Sequence, residues 1–383
     1  MTMGWALLAP AALIAAGACT ARDTVAVSGA VDDSLDVFCE GGGAPVLADG
    51  TCTGRLAETL FRHAVCGCSG LDFNGDLTAD AFDSRVGEGP GRGADVASNA
   101  GLSGNGAMNI SGNVIIGGPD GVQAGELLHV AGDLTSAGSL GRPGSAIEVE
   151  GAAWIGGDVM VESLTVSALT IREGASVEGQ VMAGTTEMAD VDVPPPCRCD
   201  QAVDVAERLA EHALANHNAE LELDPAALSR VDGDATLELP CGRFYLDEVS
   251  GDGPGRISIR AMGRTALFVG GNISTQHDLV VEIGPEAELD IFVGGNIQVS
   301  GVSTLGDPTR PRTLRIYVAA GGSIAMSAGS VLAGNLYAPL ADLASSAPLE
   351  LFGAVVVNRV TGAATVDVHH DLAIADASET CGD

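Results

Sequence analysis

The hexapeptide Phe-Val-Gly-Gly-Asn-Ile occurs twice, at 268–273 and 292–297, an offset of 24 residues. No other feature constrains the fold as much. Around it run short segments of Val, Ile, Leu and Ala at spacing two, punctuated by Gly: 108–118, 127–138, 146–161 and 164–184, then 265–284, 289–306, 313–339 and 349–368. Alternation is the strand signal, and self-similarity at a fixed period is the signature of a solenoid. One such coil cannot bury its inward side chains alone. Stacked at about 4.8 Å, coils pair every backbone N–H and C=O with the coil above or below and place aliphatic residues on one another inside. Gly at the corners is expected to supply positive φ, and the following Asn or Asp to tolerate a left-handed backbone. An antiparallel β-sandwich would call for tight Asn-Gly or Asp-Gly hairpins, whereas here the Asn opens the next strand. The expected fold is mainly β: a right-handed parallel β-helix with a Cys-rich N-terminal cap and one inserted α-helix.

Composition agrees. Hydrophobic residues make up 46% of the 383 residues, aromatics only 3%, and 53 are Gly. The hydrophobic content argues for a packed core, and the small side chains suit thin stacked sheets. Net charge is −33 and every basic residue is Arg. A chain this acidic repels nucleic acid and anionic lipid.

Residues 5–18, WALLAPAALIAAGA, are too short to span a bilayer, which takes about 20 residues, and read as the apolar part of a secretory signal. Ala16-Gly17-Ala18-Cys19 resembles a bacterial lipobox, which predicts lipidation of Cys19. Setting Cys19 aside leaves Cys39, Cys52, Cys66, Cys68, Cys197, Cys199, Cys241 and Cys381, an even set suited to disulfides in an oxidising compartment. Eight cysteines leave connectivity open. Local sense suggests Cys39–Cys52, the 66/68 pair against the 197/199 pair, which would tie the two ends of the first strand block together, and Cys241–Cys381. A four-thiolate zinc site from 66/68 and 197/199 is the alternative, although structural zinc usually wants wider spacing.

The chain divides into a signal (1–18), a lipid anchor and tether (19–35), a Cys-rich cap (36–85) with a short helix at 55–65, a first β-helix block (86–193), a linker with a helix (194–232), and a second block (233–383). Pro194-Pro195-Pro196 breaks the strand pattern. Residues 202–221 then have helical periodicity through Val205, Leu209 and Leu214.

ADAFDSRVG (79–87) with SNAGLSGNGAMNISGNVIIGG (98–118) resembles exported proteins related to pilus-assembly accessory proteins. LELPCGRFYLDEVSGDG, RTALFVGGNI, LDIFVGGNIQVSG and AGNLYAPLADL in the second half are similar to an uncharacterised family of myxobacterial-type lipoproteins with a β-helix domain. The resemblance covers roughly 60–383. It implies an architecture and an exported location, and no catalytic residue.

Asp72, Asn74, Asp76, Asp80 and Asp83 stand at relative positions 1, 3, 5, 9 and 12, the ligand spacing of a calcium loop of dockerin-like type, with Leu77 where the turn glycine belongs. The alternative reading is an acidic capping loop. His277-Asp278 and His369-His370-Asp371 are candidate acid–base or metal groups. Glu282, Glu286, Glu288 and Asp290 are the carboxylates a polysaccharide-cleaving β-helix would use. Phosphate-cradling and nucleophile-elbow motifs are absent.

The functional expectation is an exported, lipid-anchored structural or adhesive protein of the cell envelope, at the outer membrane or surface, without a catalytic role or cofactor. Its partners would be the membrane, through its anchor, and a glycan or envelope protein. A carbohydrate-binding or carbohydrate-cleaving β-helix is the rival, and self-assembly through the solenoid ends a third reading.

Overall fold

The strand alternation read from the sequence is realised as a three-faced parallel β-solenoid. The computed structural model describes residues 35–40, 59–200, 203–319, 321–326 and 329–374. All of these lie in one compact unit, Ser34–Asp383.

Face A stacks, in spatial order, β14 (Ala235–Leu239), β17 (Arg256–Ala261), β20 (Asp278–Ile283), β23 (Ser303–Gly306), β26 (Ser330–Ala333), β28 (Leu349–Phe352), β30 (Val366–Asp371), β2 (Leu77–Asp83), β6 (Met108–Ile110) and β9 (Leu127–Val130). Face B stacks β15 (Gly242–Leu246), β18 (Arg264–Val269), β21 (Glu288–Val293), β24 (Leu314–Val318), the first parts of β27 (Asn335–Ser345), β29 (Val355–Gly362) and β1 (Val65–Phe73), then β4 (Val96–Ser98), β7 (Val114–Ile116) and β10 (Leu134–Ser136). Face C holds β16 (Val249–Gly251), β19 (Ile273–Thr275), β22 (Ile297–Val299), β25 (Gly322–Met326), the second parts of β27, β29 and β1, then β5 (Gly101–Gly104) and β8 (Gly121–Ala124). Long strands that turn the corners complete the stack: β11 (Ala146–Ile155), β12 (Val159–Ile171) and β13 (Val177–Met188). A short antiparallel excursion, β3 (Glu88–Gly91), leaves β2.

This order differs from the linear one. The second sequence block comes first in space. Its last strand, β30, fills face A of a rung whose faces B and C are filled by β1, so the two ends of the solenoid-forming chain share one turn. The interior runs unbroken across this seam: Leu267, Ile291, Ile316, Leu336, Val355, Val65, Val96, Val114, Leu134 and Ala153 succeed one another in register, each at most 3% exposed. Each Val, Leu or Ile side chain so buried contributes roughly 1.5–3 kcal/mol. Of the region read as a Cys-rich cap, Val65–Phe73 and Leu77–Asp83 are therefore mid-stack strands. Of the helix expected at 55–65, Thr59 and Leu60 are helical and the chain bends before β1.

Because the first block ends at one pole and the second begins at the other, residues 189–200 and 203–234 travel back along face B as a strap. The outward side chains of that face are apolar to receive it. Phe268 stacks on Phe292 at 4.8 Å and Phe292 on Tyr317 at 4.9 Å; Tyr337, Val356, Cys66 and Ala97 continue the row. Over it lie Cys197, Val203 and α2 (Val205–His212), forming a second core outside the first. α2 starts where Asp204 accepts the Glu207 amide at 2.9 Å, which relieves an orphan donor. It is shorter than the helix expected at 202–221: Val205 and Leu209 are buried, but Leu214 is 91% exposed. Disulfides Cys66–Cys197 and Cys68–Cys199 bolt the strap to β1, as expected. The other expectation is corrected. Cys39, on α1 (Leu35–Glu40), pairs with Cys241, because α1 packs beside β15, where Arg243 and Arg264 hold the Phe38 ring at 4.7 and 4.8 Å. Cys52 and Cys381 lie outside the described residues.

The corner glycines divide. Gly233 before Asp234 and Gly306 before Asp307 have positive φ, as expected, whereas Gly112, Gly132, Gly271 and Gly295, before Asn113, Asp133, Asn272 and Asn296, are not among the positive-φ positions. The Asx side chains after these four, and Asp95, accept the amide of the residue one rung on. Asn272 Oδ1 takes the Asn296 N–H at 2.8 Å, Asn296 Oδ1 that of Ser323 at 3.2 Å, and Asp95, Asn113 and Asp133 form a second such ladder. Gly is needed for close approach: a Cβ on Gly295 would lie 2.1 Å from Asn272 Oδ1. Gly295→Ala is expected to lower stability by about 1–3 kcal/mol. Asn272→Ala is expected to cost about as much by orphaning the Asn296 amide. The double variant should lose less than the sum, since the colliding atom is gone; strict additivity in thermal melts would contradict this stacking account.

Candidate functional site

Outward positions on face C are small and polar. In register, Asp72 of β1, Ser103 of β5 and Gln123 of β8 stand in a row, while Leu71, Leu102 and Val122 point inward. With Ser69, Asp120 and Arg359 they line a shallow cleft of about 190 Å³ beside the seam. Its electrostatics are largely settled internally. The Arg359 guanidinium donates to Asp72 Oδ2 at 2.9 Å and to the Ser69 carbonyl at 3.2 Å, and the Ser103 hydroxyl donates to Asp72 Oδ1 at 2.6 Å. Hydroxyls, an amide and one bridged ion pair on a flat strand face can hydrogen-bond a polar ligand. Only Asp72 of this group was singled out from the sequence. Ser103, Gln123 and Arg359 were legible only as polar alternates in strands of unknown neighbours.

The five residues of the calcium reading are not brought together. They follow extended β1 and β2 and the turn between, not a loop around one point. Besides Asp72, Asn74 accepts from Asn105 at 2.8 Å, Asp76 from the Ala107 amide at 2.9 Å, Asp80 meets His369 Nδ1 at 2.8 Å, and Asp83 holds Arg85. The Arg85 hydrogen bond keeps the Asp83 carboxyl below its usual range. The four sulfurs of the zinc alternative are spent in two disulfides. Among the described residues no three His, Cys, Asp or Glu side chains are grouped so as to hold a metal ion.

The histidine candidates separate into three environments. His277 is fully buried, stands over Gly251 and Gly255, and neither ring nitrogen has a partner among the described residues. Its neighbour Asp278 accepts the Val302 amide at 3.0 Å, as a corner residue does. His369 faces outward, bound to Asp80 and stacked on Phe352 at 4.5 Å. The Asp80 hydrogen bond raises its pKa against the opposing effect of burial. His370 points inward at the corner between faces A and B, near His63, and Asp371 accepts both the Ser84 amide at 3.0 Å and its hydroxyl at 2.7 Å.

Of the carboxylates a glycan-cleaving site would use, Glu282 pairs with Arg260 at 2.5 Å, and Glu288 with Arg315 at 2.9 Å. Asp290 is wholly buried against Arg315 at 2.5 Å. Burial pushes its carboxyl up to about 6, the Arg315 charge acting in the opposite direction. Glu286 occupies the turn between β20 and β21. None of these groups lines the face C cleft. Cys19 lies outside the described residues.

Residues 199–377 match a domain of unknown function, DUF7305. The match begins in the strap and ends just past β30, so it takes in every rung of the second sequence block and stops at the seam. No curated protein and no solved structure matches the chain.

Proposed function

We propose that this protein is an exported, lipid-anchored scaffold or adhesive element of the cell envelope, related to the myxobacterial-type lipoproteins that its sequence resembles. The observation that carries the reading is how its charged side chains are used. Asp72 with Arg359, Asp80 with His369, Glu282 with Arg260 and Glu288 and Asp290 with Arg315 tie one rung to the next. Carboxylates so committed brace a rod instead of gathering around a reacting bond. Disulfides that bolt the strap to the stack support an oxidising compartment, and the Cys19 lipobox supports the anchor. Mass spectrometry of the mature chain from a membrane fraction, without reduction, is expected to find an acylated Cys19 at its N-terminus. An intact leader, or a soluble product cleaved elsewhere, would remove the anchor from this reading.

The face C cleft favours a second reading, a carbohydrate-binding rod, since hydroxyl and amide groups in a row suit sugar hydroxyls. A glycan array is expected to separate the two. Binding lost on Ser103→Val with Gln123→Leu places the ligand on face C, and turnover of any glycan would overturn the non-catalytic assignment.

A further inference from the structure

The seam is the one rung assembled from both ends of the solenoid-forming chain, and its corner between faces A and B is built on imidazoles. His63, entering β1, and His370, on β30, are 5% and 3% exposed. His63 Nδ1 and His370 Nε2 have no hydrogen-bond partner among the described residues. Other side-chain ties across the seam are satisfied: Asp371 with Ser84, Asp80 with His369, Asp72 with Arg359, and Ser69 with Asn358 at 2.9 Å. We propose that the seam is an acid-opened joint, in which protonation of His63 and His370 parts β1 and β2 from β29 and β30 while the rungs on either side stay closed.

Around His63 stand Asp95 at 3.9 Å, Arg62, His370 and the Pro196 carbonyl of the strap. Around His370 stand the Gly93 carbonyl at 3.3 Å, the Phe61 carbonyl, Asp95 and Asp371. Among the described residues Asp95 is the one carboxylate that acts on both imidazoles; its Oδ1 accepts the Asn113 amide at 2.7 Å and its Oδ2 stands 3.9 Å from His63 Nδ1, so a single negative charge would face two cations. Two imidazolium ions in this corner would repel each other in a site that water does not reach.

The sign follows. Burial lowers both pKa values in the folded state. Their contribution to closure is therefore full above about pH 6.5, the unfolded value, and is lost as pH falls through the folded values. His369 acts in the opposite sense. Its raised pKa means that acid strengthens its bridge to Asp80 across the same seam, with the benefit lost as pH rises. It is half-buried, while the pair is almost wholly buried, so the pair dominates.

Hydrogen exchange of the full oxidised chain, corrected for intrinsic exchange, tests the joint between about pH 7.5 and pH 5. Below about pH 6.5, exchange in β1, β2, β29 and β30 is expected to rise by about tenfold per pH unit of acidification for each imidazole that must take up a proton, with β17–β22 and β9–β12 unchanged. His63→Gln with His370→Gln should flatten the response, and His369→Gln should steepen it. Seam amides equally protected at both ends of the range, an acid response unchanged in the double variant, or all rungs opening together would each overturn the proposal. Should the double variant not fold, the locality of exchange in the parent chain decides.

Discussion

Replacing Arg315 with methionine is expected to cost about 3–5 kcal/mol at neutral pH, among the largest effects of any single substitution in this protein. Asp290 is wholly buried, and Arg315 is its direct partner through Nε at 2.5 Å. Removing the guanidinium strands a carboxylate where water cannot reach it. The pH dependence follows from the raised folded-state pKa of Asp290. A carboxyl whose folded pKa, about 6, exceeds its unfolded value holds its proton more tightly in the fold. Its contribution is full below the unfolded value and lost as pH rises through the folded one. Without Arg315 the folded pKa climbs further, so Arg315→Met should be much closer to the parent at about pH 5 than at about pH 8. The double variant Asp290→Leu/Arg315→Met should recover most of the loss, since an apolar pair of similar volume is often as stable as a buried ion pair. Denaturant midpoints for the three proteins at both pH values decide it. A double variant no better than Arg315→Met would mean that the site is held by shape alone.

Loss of both strap disulfides is the second large effect. Cys66–Cys197 and Cys68–Cys199 each span 131 residues. A cross-link of that span restricts the unfolded chain by about 4–5 kcal/mol, although the two are not additive, because either one alone closes nearly the same loop. Cys66→Ala/Cys197→Ala should therefore cost mainly the packing of the buried sulfurs. Replacing all four cysteines should release most of the 4–5 kcal/mol and speed tryptic cleavage after Arg198. Asn99, which accepts the Cys197 amide at 2.8 Å and donates to its carbonyl at 2.9 Å, would remain as the local tie of the strap to the stack. Equal cleavage rates with two disulfides and with none would show that the strap is held by its apolar face.

How legible the fold was depends on whether a feature is local. The Phe-Val-Gly-Gly-Asn-Ile repeat marks a corner and the strand after it, and both copies adopt that role at successive rungs, with Ile273 over Ile297. The pairing of 66/68 with 197/199 was legible because two Cys-x-Cys motifs match in spacing. Cys39–Cys241 was not, since nothing near either residue records that α1 lies beside β15. The calcium spacing misled because carboxylates at alternate positions also describe a strand whose outer face bridges to neighbouring rungs, and Asp72 and Asp80 do just that. Ser103, Gln123 and Arg359 became a cleft with Asp72 only when strands from three distant stretches stood side by side.

Local pattern alone determined the rung: alternating aliphatic residues set which side chains point inward, and the glycine and Asx pairs set where the backbone turns. Tertiary structure alone decided the order of the rungs, the meeting of β30 with β1 and the route of the strap. The reason is physical. The edge of one parallel rung offers the same row of N–H and C=O groups as any other, so hydrogen bonding does not choose a neighbour. That choice falls to contacts between distant residues: the apolar row that the strap covers, the disulfides, and the buried histidines at the joint.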